Sequence, residues 1–311
     1  MSAQARRSAR EEGPTSVSLK ELITLKPAGD MIKLSTPRIR ADSAGGHLSP
    51  FKGRGVEFDE SRPYQEGDDL RTIDWRVTAR TGKPHTKVFR EERNRPVIVW
   101  LDLRASMMFA TRGAFKAVVA ARAAALIAWS AVANGDQLGG LVFSESGHEE
   151  LRPRLGRRAV LRLLQLIAVN PAWTQAATQP DPGAVLHALK RLTRVARPGS
   201  LAFLFSDFIG LDRECERQLT ELASHCDVHL LHLFDPVEEE LPPPGEYRIH
   251  IDNRVLTVNT SDMALRKRYQ QAFEERRAQI RNLARLPSVR LIPCSTEDDP
   301  SSLLPRHFAG R

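Results

Sequence analysis

The sequence predicts an α/β fold in which helices cover a central, mostly parallel sheet of about six strands. From Pro96 onward, short apolar runs alternate with segments of helical periodicity, a pattern typical of parallel sheets. The first run, PVIVWLDL, is continuously apolar, which indicates a strand buried on both faces. A small β-rich module is expected before this domain, at residues 50–95.

The elements of the α/β domain follow one another along the chain. Strands are predicted at residues 96–103, 137–144, 147–156, 200–208, 226–235 and 288–295. Helices are predicted at residues 114–133, 157–168, 184–195, 212–223 and 262–286. The strand at 147–156 is short and polar, which predicts an edge position. A hairpin is expected at 242–260, turning at Asp252-Asn253.

The first 95 residues have a different character. Residues 1–49 are polar and rich in Gly and Ser in their second half, so they are expected to be mostly disordered or extended, with a short helix at 19–25. Residues 53–96 place aromatic side chains among charges of both signs, which indicates a folded, irregular β element. The predicted domains are therefore 1–49, 50–95 and 96–311.

The composition excludes several classes of protein. Three cysteines without a Cys-x-x-Cys pair exclude a disulfide framework and a cysteine zinc site, and they indicate a reducing compartment. The most apolar stretch, 114–133, is interrupted by Lys116 and Arg122, so no membrane span is expected. The first residues precede no apolar core of the signal-peptide kind. We therefore expect a cytoplasmic protein.

The net charge of +8 suggests a preference for acidic partners or nucleic acid. Of the 46 cationic residues, 37 are arginine, whose planar fork suits pairing with carboxylates or phosphates. A solvated surface with internal ion pairs explains the same composition, and we favour that interpretation over nucleic-acid binding.

Candidate site residues stand at the ends of two predicted strands. Asp102 and Ser106 follow the first strand of the domain, and Asp207 ends the strand at 200–208. Ligands of open α/β sheets bind beyond the carboxyl ends of strands, so these side chains meet at one crevice if the two strands are neighbours. A hard cation such as Mg²⁺, which prefers oxygen ligands, is the natural occupant of such a site.

The stretch GRGVEFDESRPYQEGDDLRTIDWRVTARTGKPHTKVF, followed by VWLDLRASMMF and GDQLGGLVF, resembles the bacterial domain-of-unknown-function 58 family over about residues 50–210. The layout also resembles a von Willebrand factor A domain. The resemblance implies a Rossmann-like sandwich of that type with a metal-ion-dependent adhesion site built from Asp-x-Ser-x-Ser, a loop threonine and a distal aspartate. Members of the family are typically accessory proteins encoded beside MoxR-type AAA+ ATPases, and no enzymatic reaction is attached to them.

The metal site of the resembled domain is only partly present. Asp102, Ser106 and Asp207 match its first, last and distal ligands, but Arg104 replaces the middle serine and Pro182-Gly183-Ala184 stands where the threonine is expected. A guanidinium about 4 Å from a divalent cation adds roughly 4 kcal/mol of repulsion per unit charge at an effective dielectric near 20. We expect a degenerate, metal-free site in which Arg104 pairs with Asp102 or Asp207. A weak Mg²⁺ site is the alternative.

A cluster of opposite charges marks the β-rich module. It contains Glu66, Asp68, Asp69, Arg71, Asp74, Arg76 and Arg80. Because each carboxylate has an arginine within a few residues, structural ion pairing is the favoured interpretation. The alternative is a metal-dependent phosphohydrolase or nuclease that uses Asp68, Asp69 and Asp74. We expect a folded platform, anchored on the sheet by Trp75 and Tyr64, that serves as a docking surface.

The function expected from these features is that of a non-catalytic, protein-binding accessory factor. Its expected partner is a MoxR-type AAA+ ATPase, with assembly or maturation of other proteins as the task, and other von Willebrand factor A proteins are further candidates. No phosphate-binding glycine loop or nucleophile elbow occurs, so neither a catalytic residue nor a cofactor is assigned. The partner-binding residues are expected to be Asp102, Arg104, Ser106 and Asp207, with a partner carboxylate meeting Arg104. A hydrolase and a nucleic-acid binder are the alternatives.

Overall fold

A computed structural model describes residues 13–34, 56–65, 70–91, 95–175, 181–251 and 254–309. The chain divides into two compact units. One contains residues 1–36 together with 95–311, and the other contains residues 37–94. Each unit is described by itself below.

The helices of the described residues are α1 (Leu19–Thr24), α2 (Lys26–Asp30), α3 (Trp75–Thr81), α4 (Lys116–Ala133), α5 (Arg157–Ala168), α6 (Ala184–Val195), α7 (Arg213–Ala223), α8 (Pro236–Glu239), α9 (Met263–Leu283) and α10 (Pro300–Ala309). The strands are β1 (Val56–Pro63), β2 (His85–Glu91), β3 (Pro96–Asp102), β4 (Gln137–Ser144), β5 (Gly147–Arg154), β6 (Leu201–Ser206), β7 (Asp227–Phe234), β8 (Glu246–Ile251), β9 (Arg254–Asn259) and β10 (Val289–Ser295). Short 3₁₀ turns lie at Leu70–Thr72, Ala105–Met107 and Pro171–Trp173.

The larger unit is built on a six-stranded sheet with the order β10-β7-β6-β3-β4-β5. All neighbouring pairs are parallel except β4 and β5, which pair antiparallel at one edge. The predicted α/β fold, its mostly parallel sheet and the edge position of the third strand are therefore confirmed. The architecture is a Rossmann-like sandwich.

Helices cover both faces of this sheet, because its central strands are apolar on both sides. In β3, Val97, Val99 and Leu101 face one core, which also contains α4 and α5. Ile98 and Trp100 face the other core, which contains α6 and α7. The alternation follows from the two-residue period of a strand and explains why the run 96–103 shows no polar face.

Helix α4 lies at the centre of the first core. It is the single described helix that is long and apolar enough to cross a membrane, and 83% of it is buried inside the protein. Its alanine-rich sequence lets neighbouring elements approach closely: a Cβ on Gly29 would lie 2.6 Å from the Trp129 Cβ. The apolarity of α4 is thus that of a core helix.

The N-terminal segment is folded at residues 13–34, and the rest of the predicted 1–49 region lies outside the described residues. The predicted short helix is present as α1, and α2 follows it directly. Val17, Leu22 and Ile32 are buried in the first core, and Trp129 Nε1 of α4 donates to the Leu22 carbonyl at 3.1 Å. The apolar side chains of this segment therefore make residues 13–34 part of the larger unit.

The remaining elements agree closely with the periodicity of the sequence. The predicted hairpin is formed by β8 and β9, with Ile251 opposite Arg254, and its turn at residues 252–253 lies outside the described residues. Asp262 caps α9 by accepting hydrogen bonds from two backbone N–H groups. Helix α10 was not predicted. It places Leu304 and Phe308 in the first core and carries an internal proline, Pro305, which obscured its pattern.

The smaller unit contains an antiparallel pair, β1 with β2, whose register runs from Val56 opposite Glu91 to Pro63 opposite His85. Between the strands lie a 3₁₀ turn and α3, which ends at Gly82 in the left-handed conformation. The module is therefore a strand pair with a helix inserted in the connection. The helix was not predicted.

Candidate functional site

The candidate crevice is formed where β3 and β6 end beside each other. The two strands are parallel neighbours, with Trp100 opposite Leu204 and Leu101 opposite Phe205. The residues that follow, Asp102 and Ser206, therefore emerge at the same edge of the sheet. Ser206 Oγ donates to Asp102 Oδ2 at 2.7 Å, which links the two strand ends directly.

Arg104 turns back onto Asp102. Its Nε lies 3.0 and 3.1 Å from the two carboxylate oxygens, its Nη2 lies 2.7 Å from Oδ2, and its backbone N–H donates to Oδ1. Burial raises the pKa of Asp102, and the Arg104 guanidinium opposes that shift in part. Burial alone would lower the pKa of Arg104, but Asp102 and Asp207 outweigh it and raise that pKa. The Arg104–Asp102 pairing that the sequence suggests is present.

Asp207 is held by two cations. Arg104 Nη2 lies 3.5 Å from its Oδ1, and Lys116 Nζ at the start of α4 lies 3.0 Å from its Oδ2. The Ile209 backbone N–H also donates to Oδ1. Burial would raise the pKa of Asp207, but Lys116 and then Arg104 outweigh it, and the pKa falls below its usual value. Asp207 is therefore a buried, ionised carboxylate.

Lys116 also reaches Glu238, the last-but-one residue of α8, at 2.8 Å. Its side chain is 1% exposed. Burial would lower the pKa of Lys116, but Asp207 and Glu238 outweigh it and raise the pKa, so the ammonium stays charged. We call the five side chains of Asp102, Arg104, Lys116, Asp207 and Glu238 the charge network. Three carboxylates against two cations leave it with a formal charge of about −1 when all are ionised.

Ser106 does not join the charge network. It lies on the 3₁₀ turn Ala105–Met107, and its buried hydroxyl has no hydrogen-bond partner among the described residues. The structure thus brings Asp102, Arg104 and Asp207 together as the sequence predicts, whereas Ser106 makes no hydrogen bond to them.

The residues present do not fit a divalent cation. Arg104 occupies both oxygens of Asp102, Lys116 and Arg104 occupy those of Asp207, and the loop threonine is replaced by Pro182-Gly183-Ala184 before and at the start of α6. Within the described ranges, no group of three or more His, Cys, Asp or Glu residues is arranged to hold a metal ion. A cation there would have to displace two buried, hydrogen-bonded cationic side chains.

The predicted contact between Arg104 and a partner's carboxylate conflicts with the structure. The Arg104 side chain is 9% exposed, and its guanidinium faces Asp102 and Asp207 inside the protein. Ala105 and Gly210 are exposed at the rim of the crevice, and a Cβ on Gly210 would lie 3.9 Å from Arg104 Nη1. The Ala105 backbone N–H donates to Glu145, which follows β4, at 2.8 Å, so the loop after β4 holds this part of the rim.

A further buried carboxylate was missed by sequence reasoning. Asp235, at the end of β7, accepts hydrogen bonds from the Thr111 backbone N–H and hydroxyl at 2.7 and 2.6 Å and from the Thr296 hydroxyl at 2.9 Å. Burial would raise the pKa of Asp235, but these hydrogen bonds outweigh it and lower the pKa. Asp235 thereby ties the loop before α4 to the ends of β7 and β10. Its signal in the sequence is the helix-capping pattern Asp235-Pro-x-Glu238.

Lys116 was likewise missed, although its signal was present in the sequence. A single lysine at the start of an apolar, alanine-rich helix that must be buried requires a carboxylate partner. The expected partner is a residue at the end of a neighbouring strand, and Asp207 is such a residue. The pattern that contains Glu238 indicates only its capping-box contact with the Asp235 backbone N–H, not its ion pair with Lys116.

In the smaller unit, Asp74 has a structural role. Its Oδ1 accepts the Arg76 and Val77 backbone N–H groups, which caps α3, and its Oδ2 accepts the Ser61 hydroxyl at 2.8 Å. Arg71, Arg76 and Arg80 of the predicted ion-pair cluster are exposed. Glu66, Asp68 and Asp69 lie outside the described residues, so the predicted cluster and the alternative hydrolase site are described only in part.

The two aromatic residues that are predicted to anchor the module differ in exposure. Trp75 is the first residue of α3 and is 71% exposed, whereas Tyr64 is half-buried. Trp75 therefore lies at the surface of the smaller unit, and its anchoring on the sheet stays a prediction.

The chain is similar in fold to solved structures with which it shares little sequence identity. An aerotolerance-related membrane protein from Bacteroides fragilis is 15% identical, with a TM-score of 0.40, over 69% of this chain and 96% of the other. The conserved hypothetical protein BatB from Bacteroides thetaiotaomicron is 16% identical, with a TM-score of 0.35, over 61% of this chain and 99% of the other.

Sequence comparison gives more similar relatives. Uncharacterized proteins of Mycobacterium tuberculosis and Mycobacterium bovis are each 32% identical over 268 residues, which cover 86% of this chain and 83% of theirs. The model of the family described as protein of unknown function DUF58 matches residues 60–279, which include the charge network and most of the smaller unit's strands. The chain belongs to this family.

Proposed function

We propose that this chain is a non-catalytic, protein-binding accessory factor that acts with a MoxR-type AAA+ ATPase in the assembly or maturation of other proteins. A cytoplasmic location is part of the proposal. The observation that carries it is the closed charge network: the carboxylates at the crevice are neutralised from within by Arg104 and Lys116. Such a site holds loops in place without offering a free reactive group.

The buried charged groups of the crevice are poorly suited to catalysis. General acid–base catalysis needs a group that can exchange a proton with a substrate at hydrogen-bond distance. Asp102 and Asp207 are completely buried, and each already accepts several hydrogen bonds. Lys116 stays charged between two carboxylates, so it cannot act as a neutral nucleophile near neutral pH.

The binding surface of the proposal is the rim of the crevice. Three loops converge there, after β3, β4 and β6, and the charge network fixes the first and third of them through Asp102 and Asp207. Loops on a rigid scaffold are where binding residues concentrate. The ATPase as partner rests on family membership and on the resemblance described above.

The test is a binding measurement between the purified chain and the MoxR-type ATPase of the same organism by isothermal titration calorimetry. Ala105→Trp changes an exposed rim position and Arg112→Glu changes an exposed position further along the loop after β3, and we expect each to weaken binding by about tenfold or more, or about 1.4 kcal/mol. Arg285→Glu changes an exposed arginine after α9 and is the control. Lack of binding by the wild type would contradict the proposal.

The same preparation separates the alternatives. We expect no phosphatase or nuclease activity in the presence of Mg²⁺ or Mn²⁺. Activity that is lost in a folded Asp69→Asn variant would establish the hydrolase. Duplex DNA binding would establish a nucleic-acid binder if the logarithm of the binding constant falls linearly with the logarithm of the salt concentration, with a slope of about −0.9 per phosphate contact.

A further inference from the structure

Five arginines form an exposed surface at the edge of the sheet. Two lie on β5 and three on α5: Arg152, Arg154, Arg157, Arg158 and Arg162. We call them the arginine surface. No Asp or Glu occurs in the sequence between Glu150 and Asp181. Within the part of the chain that the structure describes, none of the five arginines forms an ion pair, so their charge is not neutralised internally.

A groove runs beside the arginine surface, between β5 and α5. Its volume is about 320 Å³, and its lining combines three of the arginines with apolar side chains and one carboxylate: Arg152, Arg154, Arg162, Leu138, Leu151, Ala159 and Glu150. Glu150 is itself paired with Arg191 at 2.5 Å. At the turn, Leu155 is 54% exposed. The lining of the groove therefore combines cationic and apolar side chains.

The fold does not require arginines at the start of α5. The N-terminus of a helix carries a partial positive charge, so cations there are unfavourable and carboxylates favourable. In α5 the first two residues are Arg157 and Arg158, the cap is Gly156 without a side-chain hydrogen bond, and the first turn contains no acid. By contrast, α7 has an aspartate cap and two glutamates in its first turn. The two arginines thus act against the stability of their own helix.

We propose that the arginine surface docks an acidic, partly apolar segment of a protein partner. Carboxylates of the segment pair with the arginine forks, and its apolar side chains enter the groove and contact Leu155. The inference deepens the proposed function, because it names the kind of partner segment, and it rests on the chain being a protein-binding factor. It adds a second contact surface to the rim of the crevice.

The composition of the surface favours a protein segment over other polyanions. Single-stranded nucleic acid is held by aromatic stacking, and no Phe, Tyr or Trp occurs between Gly147 and Leu166. An anionic membrane would be met by a flat or protruding face, whereas Arg152, Arg154 and Arg162 line a groove. Arginine is also suited to bidentate pairing with carboxylates.

The test uses a fluorescein-labelled peptide of aspartate, glutamate and leucine, about 12 residues long, the length of a common recognition helix. Its binding to the full chain is followed by fluorescence anisotropy at low and at high salt. We expect salt-sensitive binding that Arg158→Glu/Arg162→Glu weakens by about tenfold or more. The control, Arg213→Glu/Arg285→Glu, makes the same change in net charge at two other exposed arginines and should bind like the wild type.

The folding of the variant is checked by thermal unfolding. Because Arg158→Glu places a carboxylate in the first turn of α5, the melting temperature should stay the same or rise, so that lost binding does not reflect lost structure. Equal peptide affinity of the variant and the wild type would overturn the inference. Tighter binding of phosphatidylserine vesicles or of duplex DNA than of the peptide would overturn it as well.

The outcome is separable from that of the proposed function. If the arginine substitutions weaken peptide binding but the ATPase does not bind the wild type, the ATPase partnership is contradicted and the docking surface is supported. If the ATPase binds but the substitutions leave the peptide affinity unchanged, the docking surface is contradicted and the partnership is supported.

Discussion

Replacing Lys116 with methionine tests whether the charge network stabilises the fold. Lys116 Nζ lies 3.0 Å from Asp207 and 2.8 Å from Glu238, and its side chain is 1% exposed. Methionine keeps the length and apolar character of the side chain and removes only the charge. Asp207 then keeps Arg104 and the Ile209 N–H, and Glu238 keeps a hydrogen bond from the Asp235 backbone.

The magnitude follows from distance and burial. Two unit charges about 3 Å apart attract by roughly 5 kcal/mol at an effective dielectric near 20, so the two pairs supply about 10 kcal/mol of gross attraction. Much of this is offset by the cost of burying the ammonium. Removing one partner of a buried pair costs about 3–5 kcal/mol, and this is the loss we expect for Lys116→Met. In a chain of 311 residues it lowers the melting temperature by roughly 5–8 °C, from an unfolding entropy of about 2.1 cal/mol/K per residue.

The assay is urea unfolding followed by circular dichroism, with a second and a third variant beside Lys116→Met. In Lys116→Met/Asp207→Asn the uncompensated carboxylate is also removed, so the double variant should be more stable than the single one. Lys190→Met removes a lysine whose Nζ lies 3.9 Å from Glu214 at the surface, and its unfolding midpoint should stay at the wild-type value.

Alkaline pH gives an independent readout of the same contact. The pKa of Lys116 is raised in the folded chain, so its stabilisation is present below the unfolded value near 10.5 and is lost as pH rises through the folded value. The methionine variant should lack this loss. A cost below about 1 kcal/mol for Lys116→Met, or a double variant no more stable than the single one, would refute the reasoning.

Three other predictions concern stability. Mg²⁺, Mn²⁺ or EDTA should leave the melting temperature unchanged. A metal-dependent shift of several degrees would show that the crevice binds a metal and would contradict this prediction. Burial lowers the pKa of His232 to about 4, so the folded chain loses up to about 3 kcal/mol as pH falls from 6.5 to 4. His232 lies beside Phe208 and Phe234, so phenylalanine can replace it, and His232→Phe should remove this part of the pH dependence. Urea unfolding at pH 6.5 and pH 4 measures it, and a variant that loses as much stability as the wild type between the two pH values would contradict the prediction. Asp74→Ala should cost about 1 kcal/mol through its lost cap on α3, measured by urea unfolding, with unchanged stability as the contrary result.

The sheet could be predicted because buried parallel strands and amphipathic helices have distinct periodicities. Helices α5 and α6 begin and end at the residues that the pattern predicts. The placement of residues 13–34 could not be predicted in the same way. Leu22 and Ile32 are buried because they pack in the same core as the apolar helix α4, and the sequence does not show that α4 offers this segment a face. The burial of this segment is therefore a tertiary effect.

The candidate site was predicted in part, for a similar reason. Asp102 and Asp207 could be paired because strand ends of a parallel sheet converge, and Arg104 could be placed because it is two residues from Asp102. Lys116 enters from a helix about ten residues further along, and its partner Glu238 comes from a short helix after β7. Contacts between elements far apart in sequence depend on packing that local patterns do not encode.

The two internal cations give the crevice a different behaviour from that of a metal site. A bound metal exchanges with solution, so the occupancy of its site depends on the metal concentration. A metal can also bridge two proteins by taking ligands from both. Arg104 and Lys116 are covalently part of the chain, and every strong contact they make in the charge network is with its own carboxylates. The network therefore sets the shape of the rim but offers a partner no exchangeable ligand. Under the proposed function, affinity for a partner then comes from exposed groups at the rim and on the arginine surface, and it should depend on salt and not on chelators.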